Sequence, residues 1–145
     1  MVDVTSKDPT LREAVASGRA LMNPATVEAI ESGDVSKGNV YATAKIAGIM
    51  AAKKTSDMIP LCHPLELTGI DIDFSSDIEK GEILITARAR TFNRTGVEME
   101  AMTAVSVAAL TIYDMCKSAD RTIVLSDIKL LEKSGGRSGM FVRKE

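Results

Sequence analysis

Thirteen consecutive residues, Ala101 to Tyr113, carry no charge, and the run is bounded by Glu100 and Asp114. A helix is expected here from about Glu98 to Lys117. The uncharged run is shorter than the roughly 18 apolar residues that suggest a membrane span, so the helix belongs to a protein core. A helix lying on one face of a sheet should keep a polar outer stripe, and this one has none at any angle. A second subunit packed over it would supply the missing cover, and closed symmetric assemblies are the common way to do so. The other account is an exposed patch of small residues, which Ala, Ser and Thr make tolerable.

At 145 residues the chain reads as one domain over 1–145, long enough to bury about 68–70% of its unfolded surface without disulfides or a structural metal. Eighteen Lys and Arg stand against 20 Asp and Glu, with two Tyr, three Phe and no Trp, which argues against a nucleic-acid binder. The opening "MVDVTSKDPT" has no apolar region of the secretory type, so a cytoplasmic protein without a membrane segment is expected. Cys62 and Cys116 have neither metal-type nor redox spacing and read as buried thiols.

Punctuation and periodicity set the remaining elements. "NPATVEAIESG" offers Asn23 as a cap, Pro24 at the first helical position and Gly33 past the end, a helix over about 24–32. "VYATAKIAGIMAAKK" reads as a longer helix closed by two lysines. In "TGIDIDF" and "EILITARAR", Ile70, Ile72, Phe74, Ile83, Ile85 and Ala87 alternate with polar residues, giving an antiparallel pair with one wet face. "RTIVLSDIKLLEK" is a last strand whose alternation slips at Ser126–Asp127, as at a bulge. "TLREAVASGRALM" is ambiguous: Thr10 and Glu13 fit a capping box, while Val15 to Met22 fits a strand. With that strand, the order is β-α-β-β-α-β, an α+β ferredoxin-like sandwich with helices on one sheet face. The Gly-rich segment from about 134 to 145 reads as a mobile tail.

Chemistry can reside in a few groups. His63 is the only histidine, held between Pro60 and Pro64 in "MIPLCHP". Without a second His or paired Cys it cannot build a zinc site, but its ordinary pKa near 6.5 suits proton transfer or phosphate binding, and a structural role fits as well. Thr95 and Glu98 match a capping box; Glu98 and Glu100 share a side only if the chain there is extended, and lie about 200° apart in a helix. Asp114 and Lys117, at i and i+3, form either a surface ion pair or a partly buried pair able to act as acid and base. "SKGN" and "EKSGGRSG" set Lys37, Lys133 and Arg137 beside glycines, as an anion-binding nest would, or as a flexible polar tail would in the second case.

"IPLCHPLEL", "TGVEMEAMTAVSVAALTIYDMCK", "LLEKSGGRSG", "KGNVYATAKIAGIMAAKKT" and "MVDVTSK" resemble, in order and over essentially the whole chain, the signature blocks of the molybdenum-cofactor biosynthesis protein C family. The resemblance implies a cyclic pyranopterin monophosphate synthase, a lyase. Such an enzyme converts 3′,8-cyclo-7,8-dihydroguanosine 5′-triphosphate, supplied by a radical-SAM GTP cyclase, to cyclic pyranopterin monophosphate with release of diphosphate. It implies a homohexamer, a trimer of dimers with sites at the dimer interface. Carried over by position, Leu61, Cys62, His63, Met99 and Glu100 are substrate-binding, Asp114 and Lys117 the catalytic pair, Lys37 and Lys133 further basic groups, and Glu98 part of the acidic patch. No metal ligand set is expected and no cofactor is required, although Mg2+ can accompany the phosphates. Asn39, Lys45 and Asn93 stand where the family pattern usually has Asp, Arg and Gly, and Asn93 would be strained if that position is left-handed. The rival reading is a ferredoxin-like module that binds a nucleotide without turning it over.

Overall fold

The structure is a computed structural model that describes residues 1–145. Its elements are β1 (Thr10–Leu21), α1 (Pro24–Ser32), α2 (Val40–Ala52), α3 (Thr55–Met58), β2 (Gly69–Asp77), β3 (Glu82–Asn93), α4 (Glu98–Cys116), β4 (Val124–Ser134) and β5 (Phe141–Val142). The sheet runs β2-β3-β1-β4-β5 with every pairing antiparallel, so β3 lies between β1 and β2 in the α+β ferredoxin-like arrangement. α2 and α4 pack on each other and on the sheet.

Alternation makes one sheet face apolar. Ala14, Ala16, Ala20, Ile72, Ile83, Ile85, Ala87 and Ala89 are all fully buried, and the many alanines let α4 approach closely through Ala101, Ala104, Val105, Ala108 and Ile112. At the α2–α4 crossing, a Cβ on Gly48 would lie 2.9 Å from the Ala104 carbonyl oxygen, so only glycine fits there without displacement. The opposite sheet face is charged, with Arg90 on Asp71 at 2.6 Å and Arg88 paired to Glu13. On the outer side of the helix layer Ile46, Met50, Met99 and Leu110 remain exposed, with no charge interrupting α4 between Glu100 and Asp114.

Tertiary pairing decides the local expectations, upholding some and correcting others. β1 begins at Thr10, not Val15, because all twelve of its residues pair with β3, and that ladder overrides the apparent Thr10–Glu13 box. Asn23 occupies the N-cap of α1 without a side-chain cap bond; its own N–H donates to Asp120 Oδ2 at 2.9 Å. The Thr95–Glu98 box is likewise absent, because α4 starts later, with Val97 as N-cap. The slip in β4 is a bulge: its register skips opposite Gly18, and Asp127 has φ 54°. The segment after Ser134 turns back at its glycines and adds β5 to the sheet edge, Phe141 pairing with Lys133.

Candidate active site

α4 carries candidate groups at both ends. At its start, Glu98 and Glu100 diverge as a helix requires. Glu98 turns to Lys133 at the end of β4, with which it forms an ion pair, while Glu100 points inward and is only 4% exposed. Glu100 borders a cavity of about 180 Å³ together with Leu61, Cys62, His63, Leu65 and Met99, so the loop after α3 and the first turn of α4 meet there. Burial pushes the Glu100 carboxyl up to about 7, opposed by a backbone hydrogen bond and helped by the charge of Glu98. Burial, and then Glu100, raise the Cys62 thiol; Cys62 is half-buried against the cavity, while Cys116 is the buried thiol that was expected. His63 Nε2–H donates to the Val2 carbonyl at 2.7 Å, which ties the chain's first residues to the same loop.

The second cluster lies at the other end of α4. Asp114 Oδ1 receives Lys117 Nζ at 2.9 Å, and Oδ2 receives Lys37 Nζ at 3.0 Å; Lys37 also donates to the Asp114 carbonyl oxygen. Lys37 arrives on the loop between α1 and α2, beyond the left-handed Gly33. Both lysines stand at the C-terminus of a helix, where the macrodipole favours cations. The hydrogen bond it donates to Asp114 raises the Lys117 ammonium above the usual lysine range, and the hydrogen bonds from Lys117 and then Lys37 lower the Asp114 carboxyl. The partly buried pair considered from sequence is therefore open to solvent in the single chain, with Asp114 56% and Lys117 52% exposed.

The two clusters do not meet. Glu100 and Asp114 are separated along a rigid helix by fourteen residues, or about 21 Å at 1.5 Å per residue. None of Lys37, Asp114 and Lys117 borders the Glu100 cavity.

The MoaC family profile matches residues 1–136. This chain belongs to the MoaC family. Among curated relatives, a Heliobacterium modesticaldum protein is 58% identical over 145 residues, spanning 100% of this chain and 91% of that protein. One from Pelotomaculum thermopropionicum is 58% identical over 144 residues (99% and 85%), and one from Roseiflexus sp. is 59% identical over 142 residues (98% and 90%). All three are named cyclic pyranopterin monophosphate synthase.

The three positions singled out from sequence, Asn39, Lys45 and Asn93, are each accommodated locally. Asn39 caps α2, its side chain accepting from Ala42 N–H at 2.9 Å, as an Asp would. Lys45 is exposed on α2. Asn93 ends β3 without a positive φ, so the strain considered from sequence does not arise. Reasoning from sequence missed Lys7 and Arg12, which line a polar cavity beside the Glu98–Lys133 pair. The signal was present: Arg12 has the parity of Ala14, Ala16 and Ala20, a cation on the core face of a strand.

Proposed function

We propose that this chain is a cyclic pyranopterin monophosphate synthase of molybdenum-cofactor biosynthesis, converting 3′,8-cyclo-7,8-dihydroguanosine 5′-triphosphate to cyclic pyranopterin monophosphate and diphosphate. The observation that carries the reading is the pairing, on one helix, of a ring-sized cavity around a buried carboxyl with a separate Lys–Asp–Lys cluster. A carboxyl poised near pH 7 both accepts from and donates to a guanine-derived ring edge, and can exchange a proton as the ring is rebuilt. Asp114 keeps Lys117 protonated, so Lys117 enters the reaction as an acid. When the α-phosphorus is taken by an oxygen of the substrate's own sugar, the bond to the β-phosphate breaks, and Lys37 and Lys133 offset the charge that develops on the departing diphosphate.

On this reading the two clusters act together only when they come from different subunits. Two copies related by a two-fold axis would bring the Glu100 cavity of one against the Asp114 cluster of the other, covering the uncharged outer face of α4. The homohexamer built from such dimers, and supply of the precursor by a radical-SAM cyclase, belong to the same proposal.

Single-turnover conversion of the cyclised GTP precursor tests the activity, with Lys117→Ala expected to bind precursor but release no diphosphate. Subunit mixing tests the shared site. Lys117→Ala and Glu100→Gln are each inactive alone, and after dissociation and reassembly together they should recover about a quarter of wild-type activity, because half the dimers then hold one intact site of two. No recovery in a mixed oligomer of correct mass would refute the shared site. Precursor binding without diphosphate release by wild type would favour the binding-module reading.

A further inference from the structure

We propose that Asp120 is a positioning residue for the reaction: it anchors the start of α1 to the turn that ends α4, and so fixes the loop after α1 that delivers Lys37 to Asp114; this rests on the synthase reading above. The Asp120 carboxylate is buried, and both of its oxygens are in use. Oδ2 accepts the Asn23 N–H at 2.9 Å and the Thr26 hydroxyl at 3.1 Å, both at the start of α1. Oδ1 accepts the N–H and hydroxyl of Thr122, at 2.9 and 2.6 Å, just beyond it in the chain. One oxygen thus ties a distant element, and the other only its own turn.

α1 lacks end groups of its own. Asn23 makes no side-chain cap bond and the first turn holds no acidic residue, so Asp120 supplies the anion at that N-terminus. The far end is closed by backbone: Gly33, left-handed at φ 77°, and Asp34 donate to the carbonyls of Ile30 and Ala29. A turn closed by the Gly38 N–H on the Val35 carbonyl at 3.0 Å then presents Lys37. Nine helical residues, about 13 Å, and this loop therefore form an arch. One foot is tied to Asp120, and the other, through the Lys37 ammonium, to Oδ2 and the carbonyl oxygen of Asp114. Both feet stand on the short stretch from Asp114 to Asp120, where the Asp120 N–H donates to the Cys116 carbonyl at 3.0 Å and closes the turn beside Lys117.

Packing alone does not set this arch. Val27 and Ile30 seat α1 on the core, but a cavity of about 140 Å³ lies between Thr26, Val35 and Ser36 on one side and Met115, Cys116 and Ser118 on the other. Close-packed side chains would hold the two elements in one setting; across a cavity the polar ties must do so. The tie at Lys37 is a solvent-open ion pair, 44% and 56% exposed, and pairs of that kind are weak. The bonds to the buried carboxylate are charge-assisted and are the stronger foot.

The test compares the two oxygens of this carboxylate in the full assembled protein. Thr26→Val removes the hydroxyl that α1 gives to Oδ2, and Thr122→Val removes one that stays within the turn. Both should lower stability, but only Thr26→Val should lower kcat on the cyclised GTP precursor, about fivefold with KM unchanged, as for a contact felt in the transition state. Thr26→Ser keeps the hydroxyl and should restore kcat. Asp120→Asn should lower kcat about tenfold, because an amide accepts at one end only and gives up one set of bonds. Hydrogen exchange gives a readout free of turnover: the amides of residues 34–38 should exchange faster in Thr26→Val than in wild type or Thr122→Val. Equal falls in kcat in Thr26→Val and Thr122→Val, or a fall in neither, overturn the proposal, and so does unaltered exchange over 34–38. If wild type turns over no precursor, the synthase reading falls, while faster exchange in Thr26→Val alone still upholds the anchoring of Lys37.

Discussion

Replacing Glu100 with Gln separates the charge of this carboxyl from its shape. Burial raises its pKa from an ordinary 4.5 to about 7, so the folded protein holds the proton more tightly than the unfolded chain. Raising the pH through this window therefore favours unfolding, and the cost is complete once the folded group is ionised. Each tenfold difference in proton affinity between the two states is worth about 1.36 kcal/mol, which makes the full penalty about 3 kcal/mol. Roughly 0.8 kcal/mol of it is already present at pH 5, because the unfolded carboxyl is then mostly ionised, and the remaining ~2.5 kcal/mol appears by pH 8. Urea unfolding of wild type and Glu100→Gln, at pH 5 and pH 8 and at one protein concentration, measures the difference of differences. Any constant cost of burying the amide cancels. The variant should gain about 2.5 kcal/mol on wild type between the two pH values. A gain under about 0.5 kcal/mol, or one of opposite sign, would refute a buried carboxyl titrating near neutrality.

Asp114→Asn removes the partner that raises Lys117, so the alkaline limb of the pH–rate profile should move to lower pH as kcat falls; an unmoved limb would mean that Lys117 does not set it. Gly48→Ala forces a methyl group against the Ala104 carbonyl at the α2–α4 crossing and should cost about 1–3 kcal/mol in chemical denaturation, with a neutral result arguing against so close a crossing. Asp120 is buried and accepts from Asn23, Thr26 and Thr122, which, led by Thr122, lower it to about 2. Its stabilisation is present above the ordinary value of 3.8 and lost as pH falls through about 2. Asp120→Asn should therefore cost about 2 kcal/mol at pH 7 and little at pH 2, and an equal cost at both would refute the ionised hub. Turnover should survive chelation of divalent cations, whereas loss with EDTA and recovery with Mg2+ would put a metal on the substrate phosphates.

The elements readable from sequence are those whose signal is local. Pro24 and Gly33 bracket α1 as expected, and alternation around Ile72 and Ile85 names the buried face of β2 and β3. The break at Ser126–Asp127 announces the β4 bulge for the same reason, since a period of two either continues or fails within a few residues. Local signals misled where a distant partner won. Thr10 and Glu13 look like a helix start until β3 pairs with them, and Asn23 holds the N-cap position of α1 without a side-chain cap bond, its own N–H donating to Asp120, 97 residues away in the chain.

By itself the sequence determined the α+β order of elements, the uncharged span of α4, and the residues that align this chain with the MoaC family. Only the tertiary structure decided which of those residues act on one another. It brings Lys37 to Asp114 across 77 positions and Lys133 to Glu98 across 35, while keeping Glu100 and Asp114 at opposite ends of one helix. It also buries Glu100 and leaves Arg12 without a counter-ion, because desolvation and ion pairing depend on what packs nearby in space, and hydrophobic periodicity reports only which way each side chain faces.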